Sequence, residues 1–153
     1  MAGLLIIAHA PLASALKLAA QHCFPDAAQS LQALDVPPNL PPEEVAAQAR
    51  LLLAAAQAGD DKGEALVLAD VFGATPCNAV QSLADGVRVK VVTGVNLPML
   101  WRTLNYASQP LETLINVAMA GGTHGVMQIA ASRQQNQVSQ PTPHDQDHRH
   151  HQQ

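Results

Sequence analysis

Short apolar runs separated by stretches of helical period organise this chain. Gly3 to His9, Leu31 to Val36, Ala65 to Asp70 and Val87 to Val95 are dominated by Leu, Ile, Val and Ala, as strands buried on both faces are. Between them, Leu12 to His22, Glu43 to Ala58 and Cys77 to Ala84 carry helix formers, and the alternation predicts βα units around a parallel sheet. Pro41 and Pro42 ahead of Glu43 and Glu44 suit a helix start, because proline needs no donor there and acids favour the positive end of the dipole; Gly59 suits the end. Beyond the fourth strand, Pro98 opens a segment running through Leu104, and Leu111 to Met119 continues at helical spacing until Gly121 and Gly122 are expected to stop it. Val126 to Ala131 reads as a short edge strand. From about Arg133 the chain is Gln, His, Pro and Asp with almost no apolar content, which predicts a disordered tail. No internal repeat is visible.

The expected architecture is therefore α/β, a single doubly wound, mostly parallel sheet of order 2-1-3-4 with helices on both faces. A length of 153 residues suits one domain, set at residues 1–131 with 132–153 as the polar tail. Apolar residues make up 48% of the chain and aromatics only 3%, so the core must be built from Ala, Leu and Val.

Charge narrows the function. The net charge is −4 and the eight Lys and Arg are scattered, which leaves no cationic stripe for a phosphate backbone and argues against nucleic acid as a partner. No apolar stretch approaches the ~20 residues of a membrane span, and no cationic segment precedes a hydrophobic signal core, so membrane insertion is not expected and a cytoplasmic location is. Cys23 and Cys77 fit no metal-ligand spacing and are read as free thiols, Cys23 as a small core residue and Cys77 as a buried one behind Pro76. Neither a metal nor a cofactor is expected. The His-rich stretch His144 to His151 has metal-capable side chains but no scaffold, and is read as solvated.

The candidate chemistry lies at strand ends. Ligands of doubly wound sheets bind beyond the carboxyl ends of the strands. His9 closes the first apolar run and Asp70 the third, and in a 2-1-3-4 order these strands are neighbours. A lone histidine there is ordinarily a solvated turn residue and a lone aspartate a cap; it is their pairing at equivalent ends that points to chemistry. A carboxylate accepting from one ring nitrogen fixes the tautomer, leaves the other nitrogen as a directed nucleophile, and stabilises positive charge on the ring. Gly73 then allows close backbone approach, and Thr75 offers a hydroxyl before a proline-started helix, which together suit a phosphoryl group. Asp35 ends the second strand and is read as capping the following loop. His22 and His124 carry no assigned role, and Leu97, Leu100 and Trp101 serve either a docking surface or the core. Receiver-domain, P-loop and dinucleotide patterns are missing.

Three segments carry a family resemblance: Ala8-His9-Ala10, Asp70-Val71-Phe72-Gly73-Ala74-Thr75-Pro76-Cys77-Asn78, and Gly94-Val95-Asn96-Leu97-Pro98-Met99-Leu100. Together they resemble the mannose-type IIA component of the bacterial phosphoenolpyruvate-dependent sugar phosphotransferase system, over roughly residues 3 to 131. The resemblance implies a phosphotransferase that acts as a phosphocarrier. His9 would accept phosphate from phospho-HPr on Nε2 and pass it to a IIB partner in sugar uptake, Asp70 would orient the ring, and Gly73 and Thr75 would contact the phosphate. The family usually has Gly-Gly-Ser-Pro-Phe-Asn where this chain has Gly73-Ala74-Thr75-Pro76-Cys77-Asn78; Thr75 keeps the hydroxyl, whereas Ala74, and Phe72 for the common Trp, alter the loop and its surface. The resemblance also implies a homodimer in which Val126 to Ala131 crosses to the other subunit. With a polar tail where a linker and IIB domain often follow, a separate IIB component or a regulatory target is expected. The alternatives are a regulatory module signalling through His9 phosphorylation without transport, and the phosphotransferase subunit of a dihydroxyacetone kinase.

Overall fold

Burial on both faces turns the apolar runs into strands of one sheet. In the computed structural model, which describes residues 1–130, β1 (Gly3–His9), β2 (Gln32–Val36), β3 (Ala65–Ala69) and β4 (Val89–Thr93) pair in the order β2-β1-β3-β4, all parallel. The helices are α1 (Leu12–Cys23), α2 (Pro42–Gln57), α3 (Thr75–Gln81), α4 (Leu97–Asn105) and α5 (Leu111–His124). This is the expected doubly wound sheet.

Alternate side chains of each strand feed two cores. Leu4, Ile6 and Ala8 of β1 with Leu66 and Leu68 of β3 pack against Leu16 of α1, Leu100 of α4 and Leu114 of α5. Leu5, Ile7 and Val67 pack on the other face against Val45, Ala49 and Leu53 of α2 and Val80 of α3. Five successive residues, Leu4 to Ala8, are buried, so β1 is the central plank of the fold. Each Leu or Ile buried in this way contributes about 2 kcal/mol, and the four of β1 together outweigh any one polar contact in fixing where the strand lies.

The structure revises several sequence readings. Gly121 and Gly122 do not end α5, which runs on to His124. A side chain at Gly121 would sit 2.7 Å from Arg102 Cβ, and one at Gly122 would sit 2.7 Å from Met99 Cε, so these glycines let α5 lie close against α4. The fourth strand begins at Val89 rather than Val87, because Asp85 Oδ1 accepts the N–H groups of Val87, Arg88 and Val89 at 2.9, 2.7 and 2.8 Å before the ladder begins. Those donors, Val89 first, hold the Asp85 carboxyl down at about 2. The helix expected over Cys77 to Ala84 starts earlier and is shorter. Cys23 is exposed at the end of α1 rather than in the core, while Cys77 is buried. Residues 126–130 form no strand within this chain, and Val126, Met127 and Ile129 are exposed. Ala131 and the expected tail, 132–153, lie outside the described residues.

The α4–α5 contact gives a graded prediction. Gly121→Ala must push apart two helices at a side-chain base, so it should lower unfolding free energy by about 1–3 kcal/mol despite the better helix propensity of alanine. Gly122→Ala meets chiefly the mobile end of Met99 and should cost less. Urea unfolding of both variants checks the order; equal stability of Gly121→Ala and wild type would contradict it.

Candidate functional site

Strand register brings the first and third apolar runs together at one rim. β1 pairs with β3 through Ile7↔Ala69, so the residue after β3, Asp70, rises beside the end of β1. His9 is the last residue of β1 and follows a buried Ala8, which leaves its side chain 52% exposed as the chain leaves the sheet. Ala10 N–H then donates to Val36 O of β2 at 3.0 Å, and two residues later α1 begins. The histidine is thus presented at the edge by a short, hydrogen-bonded turn.

Asp70 holds that turn and the ring together. Its Oδ2 accepts the His9 backbone N–H at 2.9 Å and lies 2.6 Å from His9 Nδ1, while its Oδ1 accepts the Val71 N–H at 2.8 Å. Only a tenth of the Asp70 side chain is exposed. Burial opposes its charge, but the hydrogen bonds from the His9 backbone, the His9 ring and the Val71 backbone together prevail and keep the carboxyl below its ordinary value. An ionised carboxylate cannot donate, so the ring contact requires the proton on Nδ1 and, in the neutral imidazole, leaves the lone pair on Nε2. The arrangement is chemically a directed nitrogen nucleophile with a fixed counter-charge behind it.

The loop after Asp70 shapes the rest of the rim. Val71 and Phe72 are 51% and 74% exposed, and Gly73 adopts φ +82°, a left-handed conformation that favours glycine. Asn78 of α3 fastens this loop by donating from Nδ2 to Gly73 O at 3.2 Å. Thr75, the first residue of α3, is exposed and shares a groove with Pro42 and Glu43 of α2 and with Asn78. Gly73 and Thr75 therefore lie just beyond Asp70 in the chain, but no hydrogen bond ties either to His9 or Asp70 among the described residues. Two further grooves, of about 550 Å³ beside β4 and α5 and about 400 Å³ between α4 and α5, are lined by other residues. Half of the His9 side chain is open to solvent.

The remaining candidates have structural places. Asp35 accepts the Ser14 N–H at 3.0 Å and so caps α1 from the neighbouring strand, rather than the loop that follows it. That pairing spans 21 residues and no local signal announces it. Leu100 is fully buried, whereas Trp101 is 38% exposed and His22 and His124 are exposed. Among the described residues no group of three or more His, Cys, Asp or Glu is placed to hold a metal, and no helix is long and apolar enough to cross a membrane.

Comparison with known proteins places the fold and the family. A protein-family profile described as "PTS system fructose IIA component" matches residues 3–119. A search of curated proteins found no match. Among solved structures, the mannose/sorbose specific IIA subunit of the phosphotransferase system from Enterococcus faecalis is 25% identical, with a TM-score of 0.68 over 86% of this chain and 98% of its own. Phosphotransferase system component EIIA from Streptococcus agalactiae, at 19% identity, shares the fold with a TM-score of 0.70 over 84% of this chain and 97% of that one. The PTS IIA protein associated with the fucose utilization operon of Streptococcus pneumoniae, at 21% identity, does so with a TM-score of 0.66 over 84% and 96%. The profile match extends over most of the chain, which belongs to the mannose-type IIA family of the sugar phosphotransferase system.

Proposed function

We propose that this IIA component is a phosphocarrier in which His9 takes a phosphoryl group from phospho-HPr and passes it to a IIB partner in the cytoplasm. The observation that carries the reading is the 2.6 Å contact between His9 Nδ1 and Asp70 Oδ2 on an exposed rim. In the first step, Nε2 attacks phosphorus, the new N–P bond forms as the bond from phosphorus to the donor breaks, and positive charge appears on the ring. Asp70, already ionised and hydrogen-bonded to Nδ1–H, stabilises that charge without having to move. In the second step the roles reverse, with the IIB acceptor attacking the same phosphorus and the imidazole leaving. Gly73 and Thr75 are assigned to the phosphate oxygens on the strength of their place directly after Asp70. Openness of the rim favours this reading, since both donor and acceptor are proteins.

We further infer that the protein acts as a homodimer in which residues 126–130 of each chain add to β4 of the other. Among the described residues β4 pairs with β3 alone, which leaves its outer edge free, and the exposed apolar side chains of Val126, Met127 and Ile129 follow α5 directly. A groove lined by Val91, Thr93, Met119 and Val126 runs along that edge.

Incubation with phosphoenolpyruvate, enzyme I and HPr should add one phosphate to the wild-type mass and none to His9→Ala; an undiminished gain in His9→Ala would overturn the acceptor assignment. Asp70→Asn should slow the transfer by about two orders of magnitude, because the amide neither fixes the Nδ1 proton nor balances the ring charge. Asp70→Ala also strands two backbone donors and should cost about 1–3 kcal/mol of stability as well. Because the folded-state carboxyl of Asp70 lies below its ordinary value, its contribution to stability is complete at neutral pH and is lost as pH falls through that lowered value. The stability gap between wild type and Asp70→Asn should therefore narrow as pH falls below about 4, as read by urea titration. Light scattering should give twice the chain mass of 16.1 kDa for the wild type and a monomer after truncation at Gly125; a monomeric wild type would refute the exchange.

A further inference from the structure

His9 ends the strand that runs between two strands whose ends each bring a carboxylate, Asp70 and Asp35. β1 runs between β2 and β3, so Asp70 stands on one side, and on the other Ala8 pairs with Asp35 and His9 with Val36. Only Ala10 and Pro11 separate His9 from α1. This tether is fastened at both ends. At its start the His9 N–H donates to Asp70 Oδ2 at 2.9 Å and the Ala10 N–H to Val36 O at 3.0 Å. At its far end the Ser14 N–H donates to Asp35 Oδ1 at 3.0 Å, while Ser14 Oγ donates to Pro11 O at 3.2 Å.

The helix brings no cap of its own. Pro11 occupies the N-cap position without a side-chain hydrogen bond, and the first turn of α1 contains no acidic residue. A helix start with unsatisfied N–H groups and an unbalanced positive dipole end frays readily. Asp35 supplies both the acceptor and the negative charge, and it does so from the strand next to the one that ends in His9. Losing it removes the hydrogen bond that ties the first turn of α1 to β2. The slack passes through a two-residue tether to the backbone that carries the imidazole, and the ring direction depends on that backbone.

We propose that Asp35 is a positioning residue for phosphoryl acceptance, which by fastening α1 to β2 fixes residues 9–11 and so the direction of His9 Nε2. The inference rests on the reading of His9 as the acceptor. It assigns Asp35 no contact with the phosphate; its carboxylate is engaged by Ser14, and its effect reaches the ring through the backbone.

The test compares Asp35→Ala and Asp35→Asn with Ala19→Gly, a helix-weakening change near the other end of α1, at a temperature where circular dichroism shows all to be folded. Initial rates of phosphate transfer from HPr are measured. The maximal rate of Asp35→Ala should fall about tenfold, a loss typical of a small misplacement of a reacting group. Its KM for phospho-HPr should change by less than about twofold, as expected when orientation rather than docking is lost. Asp35→Asn, which keeps an acceptor oxygen, should recover most of the rate, and Ala19→Gly should keep all of it. Equal rates for Asp35→Ala and Ala19→Gly would overturn the proposal and leave Asp35 as a helix cap alone. The ¹⁵N shifts of the His9 imidazole in the unphosphorylated protein give a second readout: they should move toward a tautomer mixture in Asp35→Ala and stay in place in Asp35→Asn, and unmoved shifts in Asp35→Ala would also overturn it. Failure of the wild type itself to accept phosphate would refute the acceptor reading, and the ring shifts would then decide the Asp35 inference alone.

Discussion

Parallel pairing of β1 with β3 is the constraint from which the site follows. The register sets Ile7 opposite Ala69, and both strands leave the sheet within two residues of that pair, so a histidine at the end of one and an aspartate just past the other emerge together. Nothing about the imidazole or the carboxylate draws the strands into place. Burial of Leu4 to Ala8 between two helix layers does that: the four large side chains, Leu4, Leu5, Ile6 and Ile7, together contribute about 8 kcal/mol, whereas a single hydrogen bond to a charged group contributes about 1.5–3 kcal/mol net. The hydrogen bond is the product of the fold, and its geometry is as rigid as the core beneath it.

That rigidity matters for the proposed carrier role. On that reading, a group that must accept phosphate and release it again cannot be stabilised heavily in either state, so the protein would contribute direction and counter-charge rather than enclosure. Asp70 provides both through three hydrogen bonds, two of them from the backbone, which leaves the carboxylate little freedom to turn away. The exposed His9 and the apolar rim formed by Val71 and Phe72 leave room for a macromolecule to reach the ring. The loop of residues 73–75 is tied down from behind by Asn78, so its left-handed Gly73 is held in place rather than free.

Much of this was legible in the chain because strands buried on both faces are written as unbroken apolar runs. Such runs reveal the sheet, and once β1 and β3 are neighbours, His9 and Asp70 fall at matching ends. Boundaries set by long-range contacts were not legible. Glycines commonly end helices, yet Gly121 and Gly122 are needed inside α5 because α4 lies against them, a fact that belongs to a different segment of the chain. The late start of β4 depends on how Asp85 turns back on three following N–H groups. Asp35 had the look of a cap, but the helix it caps precedes it by 21 residues. Cys23 read as a core residue from its type, and the end of α1 leaves it exposed. Residues 126–130 have the composition of a strand but no partner strand among the described residues.

The central claim is that Asp70 occupies Nδ1 of His9 and so reserves Nε2 for phosphorus. The most direct measurement is the position of the N–P bond on the ring, read from ³¹P–¹⁵N coupling in phosphorylated protein carrying ¹⁵N-labelled histidine. The account predicts coupling to Nε2 of His9 with Nδ1 still protonated. Phosphorus bonded to Nδ1 would contradict it, since the carboxylate would then face the phosphate it is meant to direct.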